Sequence, residues 1–127
     1  MIDACHSGGF IKHISEKNRI ILTSTKLQYT ITSINVSFSS LFFDKLIEKV
    51  SYGEAWEYAG NMLKRIKIRD LPSNVLLSIK IIAKIGFFIQ NPQIDDNGDG
   101  RGHGRRLLAD KLPIRGDGFL ALKTYPI

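Results

Sequence analysis

The chain has 127 residues, enough for one compact domain. Hydrophobic residues at 43% and charged residues at 24% exclude a disordered polypeptide, and a single cysteine excludes an internal disulfide framework or a four-cysteine zinc site. A formal charge of +6 draws acidic partners non-specifically without naming one. Met1-Ile2 then reads as the end of a buried strand that runs into a small-residue turn, Cys5-His6-Ser7-Gly8-Gly9. Arg19 to Thr25 is a short, apolar, β-branched strand of the kind found in buried parallel sheets. Tyr29 to Val36, rich in Thr and Ile, is extended. From Phe38 to Val50, Leu41, Phe42, Leu46 and Ile47 recur at helical spacing. Ser51 followed by Glu54 forms a capping box for a second helix that reaches about Ile66, with Ala55, Ala59, Met62 and Ile66 on one face. Pro72-Ser73 opens a third helix, with Val75, Leu76, Ile79, Ile82 and Ala83 turned inward. Residues 90–104, dense in Gly, Pro and Asp, form a loop. Phe119-Leu120-Ala121-Leu122 closes the series as a last strand. Short apolar strands alternating with helices indicate an α/β fold.

The apolar run from Val75 to Ile89 is interrupted by Ser78, Lys80 and Lys84, so it is too short and too charged to span a bilayer. Lys64, Arg65, Lys67 and Arg69 form a small basic cluster. It fits phosphate contacts or a solvated helix end, where cations are favoured by the helix dipole. It has no interleaved aromatics and no nucleic-acid motif, so no nucleic-acid partner is expected.

Cys5 carries the most specific signal. Glycines beside a thiol allow a substrate backbone to approach and amides to turn toward an oxyanion. Two rival cysteine chemistries fail on spacing. A phosphatase loop needs Arg six positions after the Cys, where Ile11 stands, and an amidotransferase elbow needs Gly where Ser7 stands. Asp3-Ala4-Cys5-His6-Ser7-Gly8 resembles the catalytic-cysteine block of the clan CD cysteine peptidases, the caspase, metacaspase, legumain and gingipain group. Leu22-Thr23-Ser24-Thr25, Phe38 to Phe43, Glu54-Ala55-Trp56 and Gln90 to Gly100 resemble later segments of prokaryotic members.

The resemblance implies a partial caspase-hemoglobinase fold: a mainly parallel sheet flanked by helices, its first strands absent, with residues 1–127 one incomplete peptidase domain. It implies a cysteine-type endopeptidase that cleaves after a basic residue. Cys5 would be the nucleophile and its backbone amide an oxyanion donor, with Asp3 and Ser24 lining the substrate pocket. The family's catalytic His precedes the Cys, and no residue before Met1 supplies it. His6, His13 and His103 lack the family context. The expectation is therefore the nucleophile-bearing half of a domain, inactive alone, whose partners are a peptide substrate and the missing N-terminal half. The alternative is a non-catalytic, protein-binding remnant.

No cofactor is required by that chemistry. Asp95-Asp96-Asn97-Gly98-Asp99-Gly100 nevertheless matches the first half of a calcium loop, with oxygen ligands at Asp95, Asn97 and Asp99 and a turn glycine at Gly100. The twelfth position, which should hold a bidentate Glu, is Arg106. The same residues also suit a polar turn whose Asp and Asn side chains cap their own backbone.

Overall fold

A computed structural model describes residues 1–26, 30–31, 37–65, 88–104 and 116–127. The expected third helix, the basic positions Lys67 and Arg69, most of the 29–36 segment and Arg106 lie outside these residues.

Three helices are seen among the described residues: α1 (Ile11–Ile14), α2 (Phe38–Leu46) and α3 (Tyr52–Arg65). None is long and apolar enough to cross a membrane. The strands are short: β1 (Ile21–Thr23), β2 (Thr30–Ile31), β3 (Phe88–Ile89) and β4 (Gln93–Asp95). β1 pairs antiparallel with β4, Ile21 opposite Asp95, Leu22 opposite Ile94 and Thr23 opposite Gln93. β2 and β3 pair in parallel over two residues. Ile2 adds a single parallel bridge to Thr23, and Ile94 an antiparallel bridge to His103.

This pattern corrects the expected caspase-like fold. Among the described residues the longest ladder is antiparallel and two-stranded, and parallel pairing is limited to two residue pairs and one bridge. The apolar, β-branched character of β1 reports burial, with all three residues buried. It does not report strand direction. Two further expectations are corrected. The 90–104 segment contains a strand, β4, and Phe119 to Leu122 is a turn leading into a short 3-10 helix at Ala121–Lys123.

The start of α2 is fully satisfied by side chains. A helix leaves its first N–H groups without intrahelical acceptors. Here Phe38 N–H donates to Gln90 Oε1 at 2.6 Å, Ser39 N–H to Asp3 Oδ2 at 3.1 Å, and Ser40 N–H to the N-cap Ser37 Oγ at 3.1 Å. Ser37 N–H in turn donates to Ser40 Oγ, which closes a capping box. The helix joins the chain's third residue to its ninetieth.

α3 starts with the expected box. Glu54 N–H donates to Ser51 Oγ at 3.2 Å, and Ser51 N–H to Glu54 Oε2 at 2.9 Å. Its buried face, Ala55, Trp56, Ala59 and Leu63, packs on Phe38 and Phe42 of α2 and on Leu22, Ile94 and Ala121. Phe38 and Phe42 stack at 5.7 Å between ring centroids. Burying side chains of this size stabilises the fold by about 1.5–3 kcal/mol each. Gly53 lies so close to the 121–123 turn that a Cβ there would meet the Leu122 backbone N at 2.9 Å.

The hydrogen bonds from Ser51, backbone first, hold the Glu54 carboxyl below the ordinary glutamate value of 4.5. A depressed carboxyl contributes stability above its unfolded value and loses it as pH falls through its folded one. Ser51→Ala should therefore cost about 1 kcal/mol at neutral pH. The gap to the parent protein should narrow as pH drops below 4.5. Urea denaturation at several pH values measures both, and a pH-independent gap would remove the carboxylate from the cap.

Candidate functional site

Among the described residues two constellations carry chemistry-bearing side chains: the turn around Cys5 and the acidic loop after β4.

Ile2 lies beside β1. Its N–H donates to Leu22 O at 2.8 Å, and its carbonyl accepts Ser24 N–H at 3.0 Å. Past Ile2 the chain turns back, with Ser7 N–H donating to Ala4 O at 3.2 Å. Cys5 and His6 occupy the corner. His6 has φ 57° and ψ 16°, a left-handed conformation usually left to Gly or Asn at the third position of a tight turn. Cys5 is exposed.

The turn is fastened to the end of β1 by two hydroxyls, both on fully buried residues, Ser7 and Thr25. Ser7 N–H donates to Thr25 Oγ1 at 3.2 Å, and Thr25 N–H to Ser7 Oγ at 3.1 Å. Gly8 N–H donates to Lys26 O at 2.9 Å. A Cβ on Gly8 would meet that same oxygen at 2.6 Å, so only glycine permits this approach.

The expected pocket residues, Asp3 and Ser24, differ in exposure. Asp3 is exposed, but both carboxylate oxygens are engaged. Gln90 Nε2 donates to Oδ1 at 2.7 Å, and the backbone and hydroxyl of Ser39 donate to Oδ2. Its local work is to cap α2. Ser24 is fully buried, and its Oγ has no hydrogen-bond partner. The backbone of His103 stands three strand positions from Ile2, by way of Thr23 and the Gln93-Ile94 segment. At about 4.8 Å per strand that is roughly 14 Å. His13 is exposed on α1.

In the second constellation, Asp95 and Asp99 stand with Asp117, which sequence reasoning did not single out. Oxygens of these three carboxylates lie within 4.8 Å of one another. The signal for Asp117 was its own Gly-Asp-Gly turn, Gly116-Asp117-Gly118, where both glycines have positive φ. The carboxylates also serve the backbone. Asp95 Oδ1 accepts Gly98 N–H at 3.1 Å, and Asp95 Oδ2 accepts Ser15 Oγ–H at 2.6 Å. Asp99 Oδ1 accepts Arg101 N–H at 2.8 Å. Asn97 Oδ1, the third expected ligand, accepts Asp99 N–H at 2.8 Å.

Asp117 Oδ1 accepts Asp96 N–H at 3.0 Å, and its Oδ2 contacts His103 Nδ1. Burial pushes the Asp117 carboxyl above the ordinary aspartate range, against the opposing pull of the His103 contact and the Asp96 amide. Three clustered oxygens of this kind suit a hard cation, whereas the amide bonds suit a self-capped turn. No family model matches the chain, and no curated protein and no solved structure was found to match it.

Proposed function

We propose that this chain carries the nucleophile of a cysteine-type endopeptidase that acts on peptide bonds after Arg or Lys. One observation carries the reading: the sole cysteine is exposed at the corner of a turn that buried hydroxyls hold rigidly against β1. Such a placement costs the fold nothing in packing and leaves the sulfur accessible to a carbonyl carbon. The reading keeps the chemistry of the resemblance and not its sheet. It requires a base for the thiol: His103 is engaged with Asp117, His13 is exposed on α1, and His6, next to Cys5 in the chain, sits at the left-handed corner of the turn.

The test is covalent labelling with an Arg-terminated acyloxymethyl ketone beside a neutral analogue. The expected result is modification at Cys5, at least about fivefold faster with the basic probe. Equal rates would reject recognition of a basic residue, and rates no faster than those of a free cysteine would reject the nucleophile.

Calcium belongs to the same proposal as a ligand of the 95–99 loop. It is favoured by the convergence of Asp95, Asp99 and Asp117. Calcium titrated into the protein should release or absorb heat and raise the unfolding temperature, as any ligand selective for the folded state does. No heat at millimolar calcium ends the idea.

A further inference from the structure

Asn97-Gly98 is a covalently reactive pair in the middle of the acidic loop. The Gly98 nitrogen can attack Asn97 Cγ and close a five-membered imide, and glycine places no Cβ in the way of that attack. The fold itself requires this glycine. Gly98 has φ 80°, and a Cβ there would meet Lys17 N at 2.8 Å. The loop also holds both reacting groups. Gly98 N–H donates to Asp95 Oδ1 at 3.1 Å, and Asn97 Oδ1 accepts Asp99 N–H at 2.8 Å. Asn97 N–H donates to Asp117 Oδ1 at 3.3 Å. From outside the loop, Ser15 Oγ–H donates to Asp95 Oδ2 at 2.6 Å, and Ser15 Oγ accepts Gly100 N–H at 2.9 Å. Asp95 is fully buried and stands opposite Ile21 of β1, so the loop is anchored on the sheet as well as on itself.

We propose that Asn97-Gly98 is a modification site of this chain, converting to aspartyl and isoaspartyl products, and that Asp95 is the latch that keeps it shut. While the latch holds, the Gly98 nitrogen cannot turn toward Cγ without giving up its bond to Asp95. Loss of its proton would also set a second negative charge beside that carboxylate. Local opening of the loop frees the nitrogen, and the reaction then runs as in a free peptide. The inference rests on neither the nucleophile reading of Cys5 nor the calcium reading of the loop.

The chemistry needs only water. The N–Cγ bond forms, the Gly98 N–H proton passes to solvent, and the Cγ–Nδ2 bond breaks as ammonia leaves with the electron pair and a proton from water. A second water then adds to one of the two imide carbonyls and breaks its C–N bond. Opening at one carbonyl gives an aspartyl residue, opening at the other an isoaspartyl residue, and nothing is oxidised or reduced. Both products add a carboxylate beside Asp95, Asp99 and Asp117. The isoaspartyl product also inserts one carbon into the backbone between the amides that Asp117 and Asp95 hold, so the opened loop cannot close in its former register. The conversion is a one-way record of loop opening.

The test holds the full chain and an acetylated peptide of residues 93–102 side by side in chelator at mildly alkaline pH. Peptide mapping then counts aspartyl and isoaspartyl products at position 97. The chain should convert at least tenfold more slowly than the peptide, which stands for the open loop. Asp95→Ala should raise the rate in the chain at least fivefold. Ser15→Ala, which removes the outer tie, should raise it at least twofold. Equal rates in chain and peptide overturn the proposal, and this comparison needs no variant to fold. A protected chain whose rate neither variant moves also overturns it, because the protection then comes from something other than the latch. Where circular dichroism shows Asp95→Ala unfolded, the Ser15→Ala rate decides.

Discussion

Asp96→Ala should destabilise the protein by about 3–5 kcal/mol, a large share of the roughly 5–15 kcal/mol that holds a domain of this size together. Asp96 is buried, at 5% exposure, and each carboxylate oxygen takes one backbone amide at short range. Oδ1 accepts Gly118 N–H at 2.7 Å, and Oδ2 accepts Ala121 N–H at 2.7 Å. Hydrogen bonds to a charged acceptor contribute about 1.5–3 kcal/mol each, and a buried amide left without its acceptor costs a further 1–3 kcal/mol. The damage also spreads. Ala121 is fully buried in the core against α3, and Tyr52 N–H at the start of α3 donates to Thr124 O at 2.9 Å. Asp96→Asn keeps one oxygen acceptor but turns an amide donor toward the other N–H, so it should recover only part of the loss. Equilibrium unfolding in urea measures all three proteins. A loss below about 1 kcal/mol for Asp96→Ala would mean that water replaces the carboxylate and that the 117–123 turn is held by its packing.

The same two amides explain where the sequence was legible and where it was not. α2 and α3 were readable because their signals are local. Apolar residues recur at helical spacing, and Ser51 and Glu54 sit three apart, as a capping box requires. β1 was readable because Ile20, Ile21 and Leu22 are apolar and adjacent.

β4 was not readable. Gln93-Ile94-Asp95 contains one apolar residue, yet all three are buried, because β1 pairs on one side and His103 on the other. Those contacts come from distant sequence. Phe119 to Leu122 has strand composition, but Asp96, more than twenty residues away, takes the amides of Gly118 and Ala121 and bends the segment into a turn. Strand direction was illegible for a related reason. An apolar β-branched run says that a strand is buried, and an antiparallel pair whose Leu22 and Ile94 pack into the core of α2 and α3 meets that as well as a parallel sheet would. At the candidate site, the exposed cysteine was foreseeable from its glycine-rich turn. The engagement of Asp3 with α2 was not, since it depends on Ser39 and Gln90 arriving beside it.

In a preparation that cleaves peptides after Arg or Lys, Cys5→Ala should lower kcat by a factor of at least about 10³, because the turn's other nucleophilic group, the Ser7 hydroxyl, is buried against Thr25. Cys5 is exposed, so the substitution opens no cavity, and the unfolding free energy should move by no more than about 0.5 kcal/mol. That contrast makes the test clean: activity falls while stability holds. Unchanged turnover would show that the cysteine is a bystander. Asp3→Ala then divides the two roles open to that carboxylate. As a reader of a cationic side chain, it should harm basic substrates far more than neutral ones, mainly through KM. As the acceptor for Ser39 N–H and Gln90 Nε2, it should lower stability and depress turnover of both substrate classes alike. Both carboxylate oxygens already hold protein donors, so discrimination rests on the residual negative charge and the lone pair left at Oδ1. An equal loss for basic and neutral substrates would confine Asp3 to capping α2.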